Sequence, residues 1–253
     1  MKTFILCGGF GTRLDAEGKR IPKALIKIGN EPIIIHLIKT FLKFNIYEFV
    51  LCLGYKKKLI ENFFLKKYKK KIKVYKYKKY KILKINLNNN LITIFLIDTG
   101  LNSGTGGRIK IANKIINNKD NFLMTYCDGL GNVNINNLKA KHKKLKKLVT
   151  VTAVQPKHRY GVMKIKKNLV IQFNNNNPIQ NIRVNGGYFV INPKSLKYIK
   201  NNKIFWENEP MNYLIKNKQL SSYNHNNFWS SLDTQKDKKY FNDLWKNKKI
   251  YWE

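Results

Sequence analysis

The sequence predicts an α/β protein with a mostly parallel central sheet, flanked by helices, and a mixed C-terminal half. Three observations support this fold class. Short, continuous apolar runs indicate strands that are buried on both faces, as in parallel sheets. Amphipathic segments with helical spacing lie between these runs, so that strand and helix alternate in the N-terminal part of the chain. Shorter strand-like and helix-like segments then follow without that regular alternation.

The first four elements are clear in the residue pattern. Residues 2–7 form an apolar run that ends at glycines, which predicts a buried strand. Residues 31–43 repeat apolar side chains at helical spacing after a proline suited to a first helical turn. Residues 48–55 predict a second buried strand, and residues 57–68 a second amphipathic helix. This β-α-β-α order implies parallel strands joined by right-handed crossovers.

Residues 72–98 alternate as strands do, with Asn88-Asn89-Asn90 as a turn, and predict a hairpin. The remaining predicted elements are a helix at 105–116, a strand at 122–127, a lysine-rich helix at 134–147, a strand at 149–155, short strands near 161–173 and 187–191, and helices near 194–200, 210–217 and 235–247. The chain shows neither an internal repeat nor a clear linker. We therefore expect one domain that spans residues 1–253.

The charge of the chain is strongly positive. Fifty Lys and Arg residues against 14 Asp and Glu give a net charge of +36, which by itself suggests a nucleic-acid-binding protein. The excess is almost all lysine, spread along the chain with many Asn and Ile, and a compositional drift of the coding sequence explains that better. Nucleic-acid binding predicts a focused patch with interleaved aromatic residues, which only residues 66–82 approach.

The three cysteines indicate a reducing compartment. Cys7, Cys52 and Cys127 lie in or at the end of apolar runs and form no C-x-x-C pair, which predicts buried, reduced thiols. No run approaches the ~20 apolar residues of a membrane span, so we expect no membrane segment. We expect a cytoplasmic protein.

The segment CGGFGTRL (7–14) predicts an anion-binding turn. A strand that runs into G-G-x-G leaves backbone N–H groups uncovered, which suits phosphate oxygens. The segment is not a Walker A loop, because it lacks Gly-Lys-Ser/Thr. It is not a dinucleotide fingerprint either, because Leu14 stands at the third glycine position. Arg13 and Lys23 add two cations that can neutralise a triphosphate. The alternative is a plain strand-to-helix turn.

Seven motifs together resemble the sugar-1-phosphate nucleotidyltransferases, and their order and spacing resemble the glucose-1-phosphate cytidylyltransferase branch of that family. The resemblance extends over essentially the whole chain. The motifs are GGFGTRL (8–14) with Pro22-Lys23, LIDTG (96–100), TGGRIK (105–110), TYCDGLGNV (125–133), NGGYFVINP (185–193), WENEPM (206–211) and FWSSLDTQKD (228–237).

This resemblance implies a Rossmann-like nucleotidyltransferase fold and the condensation of CTP with α-D-glucose 1-phosphate to CDP-glucose and pyrophosphate, with Mg²⁺ as the cofactor. It also implies small-molecule partners, with neither nucleic acid nor membrane favoured, and association into a homo-oligomer. The chemistry agrees with the residues. A sugar phosphate with a second pKa of about 6 is already deprotonated at neutral pH, so the reaction needs no general base. Positioning of two anions and neutralisation of their charge then provide the catalysis.

The resemblance also implies a role for individual residues. The catalytic residues are Arg13, Lys23 and Asp128. The nucleotide-binding residues are Leu6, Gly8, Gly9, Gly11, Thr12, Arg13, Lys23, Thr105 and Arg108. The substrate-binding residues are Asp128, Gly129, Arg159, Tyr160, Gly161, Asn185, Gly186 and Glu207. The metal ligands are Asp128 and Asp233, since one or two carboxylates usually hold Mg²⁺ beside phosphate oxygens.

Each of these roles has a structural alternative. Asp128 can be a turn residue before a glycine, and Asp233 can be the N-terminal cap of the helix that follows. Arg108 can be a surface residue near a helix N-terminus, and Glu207 a surface residue of a helix. The segment around Asn185 can be a plain β-turn.

The chain departs from the family pattern at one position. The family carries Phe-x-Glu-Lys-Pro before the sugar-binding turn, whereas this chain has Asn176 at the position of the lysine. An amide cannot replace that charge, although Arg183 or Lys164 lies near enough in sequence to substitute for it. The alternatives at this point are a related enzyme with another nucleotide or sugar, or a weakened nucleotide-binding relative. The positive charge of the chain adds a third alternative, a basic nucleic-acid-binding protein.

Overall fold

A computed structural model describes residues 1–9, 20–87, 89–155, 162–166, 168–174 and 182–252. The strands among these residues are β1 (Thr3–Cys7), β2 (Lys27–Ile28), β3 (Glu31–Pro32), β4 (Glu48–Leu53), β5 (Ile72–Lys76), β6 (Tyr80–Leu87), β7 (Asn90–Asp98), β8 (Phe122–Tyr126), β9 (Gly129–Gly131), β10 (Val149–Val154), β11 (Val162–Lys166), β12 (Leu169–Asn174), β13 (Val184–Ile191), β14 (Leu220–His225) and β15 (Trp229–Ser231). The α-helices are α1 (Ile33–Leu42), α2 (Lys57–Lys67), α3 (Thr105–Ile115), α4 (Ile135–Leu145), α5 (Glu209–Lys216) and α6 (Gln235–Lys246).

A nine-stranded sheet in the order β14-β10-β13-β8-β1-β4-β7-β6-β5 forms the centre of the protein. Strands β8, β1, β4 and β7 are parallel neighbours, and β10 is parallel to β14. Within this sheet every antiparallel pairing involves β6 or β13, so these two strands run opposite to the other seven. The predicted α/β class with flanking helices is confirmed. The sheet is mixed: seven of its nine strands run in one direction, but four of its pairings are parallel and four are antiparallel.

Helices cover both faces of the sheet because the central strands are apolar on both sides. All five residues of β1 are buried, and alternate side chains enter opposite apolar clusters. Ile5 and Cys7 pack in the cluster that includes α1, α2, α4 and α6, whereas Phe4 and Leu6 pack in the cluster that includes α3 and α5. The three cysteines are buried and free, as predicted.

Several short elements were not predicted. Strands β9 and β15 have three residues each and pair with each other, and β9 consists of Gly-Leu-Gly, which carries no strand signal. Strand β14 is largely polar because it lies at one edge of the sheet. The helix predicted near 194–200 is a 3-10 helix, Pro193–Tyr198. None of the helices in the described part of the chain is long and apolar enough to cross a membrane.

The topology gathers four chain segments at one edge of the sheet. Strands β1, β4, β7 and β8 are parallel, so their carboxyl ends lie side by side. Gly8 follows β1, Gly54 follows β4, Thr99 follows β7, and Cys127 and Asp128 follow β8. Ligand sites of α/β sheets usually lie at this edge.

Candidate functional site

A cavity of about 690 Å³ opens at the carboxyl ends of the parallel strands. Its size suits a nucleotide or a sugar nucleotide, within the usual range of ligand sites. The described residues that line it are Leu6, Cys7, Gly8, Gly9, Lys23, Leu101, Asn102, Ser103, Gly104, Thr105, Arg108, Tyr126, Cys127, Asp128, Lys203, Phe205 and Asp233.

Lys23 joins the two predicted metal ligands. Its ammonium group donates to Asp128 Oδ2 and to Asp233 Oδ1, at 2.8 Å in each case. Asp128 follows β8, and Asp233 follows β15; the pairing of β9 with β15 and a hydrogen bond from Leu232 N to Asp128 O (2.8 Å) hold these segments together. Asp128 and Asp233 lie 105 and 210 positions from Lys23 in the sequence. The fold brings all three residues together at one wall of the cavity.

The charges of this cluster stabilise each other. Burial lowers the pKa of Lys23, but attraction and hydrogen bonds from Asp128 and Asp233 outweigh it, and the pKa lies above the ordinary 10.5. Asp233 also accepts from Ser231 Oγ at 2.8 Å. The N-terminal cap of α6 is Thr234, which forms a capping box with Asp237. The alternative role of Asp233 as that cap is therefore wrong.

The N-terminal glycine turn is described as far as Gly9. A Cβ at Gly9 would meet no atom of the described residues within 4 Å, and Gly9 lines the cavity. A Cβ at Gly8 would instead lie 2.2 Å from Nη1 of Arg108. The absence of a side chain thus leaves room for a ligand at Gly9, whereas at Gly8 it leaves room for the guanidinium.

Arg108 lies beneath the cavity and is only 4% exposed, so its alternative role as a surface residue is wrong. Its guanidinium donates to the carbonyl oxygens of Gly8 (3.0 Å), Leu53 (3.3 Å) and Gly100 (2.7 Å). Two further acceptors are Leu101 O at 3.1 Å and Thr99 Oγ1 at 2.9 Å. The pKa of Arg108 lies below its ordinary value, mainly because the side chain is buried. Its predicted contact with the nucleotide stays a prediction.

The glycines before Arg108 allow a second segment to pack on α3. Residues 202–206 lie against the first turn of the helix, where Gly104 N donates to Asn202 O at 2.9 Å and Gly107 N donates to Ile204 O at 3.2 Å. A Cβ at Gly107 would lie 1.9 Å from Asn202 O. The TGG motif therefore serves close backbone packing, which brings Glu207 to the cavity.

Glu207 lies beside the cavity and bonds two residues that line it. Its carboxylate accepts from Thr105 Oγ1 at 2.6 Å and from the hydroxyl of Tyr126. Burial and the Glu207 charge hold the pKa of Tyr126 well above its ordinary value. Thr105 Oγ1 also accepts from Trp206 N at 2.7 Å. Glu207 is half-buried and precedes α5, so its alternative role on a helix surface is wrong.

The predicted sugar-binding turn begins strand β13 beside this network. Asn185 Oδ1 accepts from Gly187 N at 2.8 Å, and Gly187 has a φ of +79°, which favours glycine. Gly186 O accepts from Trp229 Nε1 at 2.7 Å. Gly129 O, on the neighbouring β9, accepts from the Tyr188 hydroxyl at 3.2 Å. The turn is thus a fixed part of the sheet rather than a plain surface turn.

The structure brings most of the predicted site residues together. Those that line the cavity are Leu6, Gly8, Gly9, Lys23, Thr105, Arg108, Asp128 and Asp233. Those that form hydrogen bonds in the adjoining network are Gly129, Asn185, Gly186 and Glu207. The predicted residues outside the described part are Gly11, Thr12, Arg13, Arg159, Tyr160 and Gly161, together with Asn176. Their roles stay predictions.

Sequence reasoning assigned no role to Tyr126, Lys203 and Phe205, which line the cavity. Tyr126 was quoted in a motif but assigned no role, although it bonds Glu207. Lys203 and Phe205 also line the cavity and are exposed, whereas Trp206, directly before Glu207, is fully buried. The alternation of Lys203, Ile204, Phe205 and Trp206 is the signal that could have revealed them.

Arg183, one candidate for the charge that Asn176 lacks, is held by other groups. Its guanidinium donates to Ala153 O at 3.1 Å, to His225 O at 3.4 Å and to Asn226 Oδ1 at 2.6 Å. It is absent from the described cavity wall. These contacts give no support for a role as the substitute cation.

Comparison with known proteins identifies the family of the chain. The family model described as nucleotidyl transferase matches residues 2–252. A glucose-1-phosphate cytidylyltransferase from Salmonella typhimurium is 33% identical and covers 100% of this chain and 98% of its own length. A mannose-1-phosphate guanyltransferase from Aspergillus oryzae is 28% identical over 94% of this chain and 62% of its own. The solved structure of HddC from Yersinia pseudotuberculosis complexed with GMP-PN is similar in fold, with a TM-score of 0.68, 19% identity and coverage of 96% and 99%.

Proposed function

The chain belongs to the nucleotidyl transferase family, and on that premise we propose that it condenses CTP with α-D-glucose 1-phosphate to CDP-glucose and pyrophosphate. The full-length similarity to a cytidylyltransferase supports this enzyme activity and this pair of substrates. The structural observation that carries the proposal is the convergence of Lys23 with Asp128 and Asp233 on a cavity large enough for a sugar nucleotide.

The reaction is attack of the sugar phosphate oxygen on the α-phosphorus of CTP, with pyrophosphate as the leaving group. The nucleophile is already an anion at neutral pH, so the protein need not remove a proton. Its tasks are to hold two anions in line and to neutralise the charge that builds up during transfer. Lys23 provides a cation for this purpose, and the open backbone at Gly9 provides a surface for phosphate oxygens.

A divalent cation fits the carboxylates beside Lys23. Asp128 and Asp233 each place an oxygen 2.8 Å from the Lys23 ammonium nitrogen, so the two carboxylates lie close enough together to share one divalent cation beside that ammonium group. The described residues contain no group of three or more His, Cys, Asp or Glu side chains that could hold a metal alone. Two carboxylates completed by phosphate oxygens and water suit Mg²⁺, which we propose as the cofactor. When bound, Mg²⁺ neutralises and orients the phosphates.

The sugar is proposed to lie between Glu207 and the turn at Asn185. Glu207 is oriented by Thr105 and Tyr126, and a carboxylate oriented in this way accepts hydrogen bonds from hexose hydroxyls. The turn that follows Asn185 is fixed by its bond to Gly187 and by Trp229. The choice of sugar therefore depends on a rigid wall of the cavity.

The second candidate is the same transfer with another nucleotide or another hexose 1-phosphate. The mannose-1-phosphate guanyltransferase supports this alternative, because a relative with a different base and sugar shares 28% identity over 94% of this chain. Asn176 in place of the family lysine also favours a change of substrate. A few pocket contacts determine base and sugar selection.

We further propose a single-domain, cytoplasmic enzyme that associates with copies of itself. The central sheet takes strands from the first and the last thirds of the chain, which supports one domain. Leu169, Val170 and Ile171 are consecutive apolar residues that are 69%, 53% and 52% exposed, which supports association through the hairpin that carries them. Sedimentation at several protein concentrations tests the oligomer.

Release of pyrophosphate tests the activity. The protein is incubated with Mg²⁺, glucose 1-phosphate and CTP, UTP, dTTP, ATP or GTP in separate reactions, and the product is identified by mass. We expect release with CTP and a product with the mass of CDP-glucose. Release with another nucleotide alone would refute the choice of CTP. Absence of release with all of them, for both glucose 1-phosphate and mannose 1-phosphate, would refute the enzyme activity on these sugars.

A further inference from the structure

The N–H groups on Nη1 and Nη2 of Arg108 donate hydrogen bonds to other groups of the protein. Nη1 and Nη2 together carry four N–H groups, and they meet five acceptors: Gly8 O, Leu53 O, Thr99 Oγ1, Gly100 O and Leu101 O. A side chain that is 4% exposed and bonded in this way has no N–H group on Nη1 or Nη2 left for a phosphate. The arrangement therefore differs from that of a direct phosphate ligand.

The acceptors belong to three separate segments of the site. Gly8 O belongs to the predicted anion-binding turn after β1, and Leu53 O belongs to the end of β4. Gly100 and Leu101 belong to the loop between β7 and α3, whose next residues, Asn102 to Thr105, line the cavity. One side chain on α3 thus joins the carboxyl ends of β1, β4 and β7.

Two glycines make room for this guanidinium. A Cβ at Gly8 would lie 2.2 Å from Nη1, and a Cβ at Gly54 would lie 2.3 Å from the same atom. Gly8 lines the cavity, whereas Gly54 is absent from the described cavity wall. A methyl group at Gly54 therefore displaces Arg108 without entering the space that a nucleotide would occupy.

We propose that Arg108 is a positioning residue: it holds the Gly8–Gly9 turn and the 100–105 loop in the arrangement that binds the nucleoside triphosphate. The inference rests on the proposed function for the identity of that ligand. It assigns Gly54 a role in nucleotide binding at a distance, since Gly54 supplies the space in which the guanidinium meets its acceptors. It also gives Gly8 and Gly9 different roles, since of these two glycines only Gly8 packs against the guanidinium.

A double-mutant cycle between Gly54→Ala and Arg108→Ala tests this role. The affinity for CTP is measured by calorimetry without the sugar phosphate, so that no turnover is needed. We expect Gly54→Ala to raise the Kd about tenfold and Arg108→Ala about 100-fold, because small displacements of binding groups have effects of this size. In the Arg108→Ala background, Gly54→Ala should change the Kd less than about twofold, because the clash has been removed.

A second readout separates positioning from direct contact. Loss of a direct phosphate ligand makes CTP binding less sensitive to salt, whereas loss of a positioning residue leaves the salt dependence of the Kd unchanged. We expect Gly54→Ala and Arg108→Ala to retain the wild-type salt dependence. Phe64→Leu, on the buried face of α2, is the control for simple destabilisation: it should lower the Tm and leave the Kd for CTP unchanged.

The outcomes are distinct. Wild-type affinity in Gly54→Ala, or independent effects of the two substitutions, would overturn the positioning role, as would a weaker salt dependence in Arg108→Ala. If Arg108→Ala does not fold, Gly54→Ala alone decides through its Kd and its salt dependence. If the wild type binds CTP and the cycle behaves as expected, but no pyrophosphate is released, the proposed function fails and the positioning role stands. A wild type that binds no nucleoside triphosphate overturns both.

Discussion

Thr105 and Glu207, 102 positions apart in the sequence, share a hydrogen bond of 2.6 Å beside the cavity. The same threonine oxygen accepts from the backbone N–H of Trp206 at 2.7 Å. Because of these two bonds, the first residue of α3 orients the carboxylate proposed to bind the sugar. Hydrogen bonds therefore link a residue predicted to bind the nucleotide, Thr105, to the residue proposed to bind the sugar, Glu207.

Replacing Thr105 tests this connection. Thr105→Val keeps the size of the side chain but leaves the buried N–H of Trp206 unpaired, which should cost about 1–3 kcal/mol of the free energy of unfolding. We expect a lower Tm and a higher KM for glucose 1-phosphate. Thr105→Ser retains the hydroxyl and should resemble the wild type in both. Equal behaviour of the Val and Ser variants would contradict the proposed role of the hydroxyl.

Removal of the Lys23 charge should abolish most of the activity. We expect Lys23→Met to lower kcat/KM by at least about 100-fold, since loss of one preorganised charged donor has effects of that order. Lys39→Met is the matched control, because Lys39 forms an ion pair with Glu31 at 2.5 Å and is absent from the described cavity wall. Pyrophosphate release measures both variants. Similar losses in the two would argue against a specific role for Lys23.

The Lys23 cluster should also make stability depend on pH. Burial lowers the folded-state pKa of Lys23, but the attraction of Asp128 and Asp233 is the larger effect and raises that pKa above the ordinary 10.5. Its contribution to stability is therefore complete below the unfolded-state value and is lost as the pH rises through the folded-state pKa. The Tm difference between wild type and Lys23→Met should be constant from pH 7 to about 10 and shrink at higher pH. A difference that grows with pH would contradict the ion pairs.

Gly9 should tolerate a methyl group in folding but not in nucleotide binding. No described atom lies within 4 Å of a Cβ built there, and Gly9 lines the cavity. We expect Gly9→Ala to keep the wild-type Tm and to raise the KM for CTP, because the methyl group enters the space proposed for phosphate. An unchanged KM for CTP would show that the backbone at Gly9 does not approach the nucleotide.

Lys203 is expected to contribute the charge that Asn176 cannot. Lys23 bonds two carboxylates and Arg108 bonds carbonyl groups, whereas Lys203 lines the cavity without an ion pair to any described residue. Lys203→Met should raise the KM for glucose 1-phosphate about 3- to 10-fold, and Lys203→Arg should not. Lys194→Met, on the exposed surface of the 3-10 helix, is the control. An unchanged KM in Lys203→Met would contradict this role.

The order of strands and helices could be predicted because hydrophobic periodicity is local. Residues 48–55 and 57–68 anticipate β4 and α2 to within two residues, since each element needs its own apolar pattern to be buried. Strand β9 could not be predicted in this way. Its three residues pair only because β15, about 100 residues later in the chain, lies beside them.

The sequence by itself determined the fold class, the glycine turn, and the residue types that a phosphate and metal site requires at Lys23, Asp128 and Asp233. These are properties of short segments, which carry their own patterns. Only the tertiary structure decided which groups meet: Lys23 with both aspartates, Glu207 with Thr105 and Tyr126, and Arg108 with three strand ends. The physical reason is that a short pattern specifies burial and backbone shape, whereas a contact between distant residues depends on strand order and on the space that glycines leave.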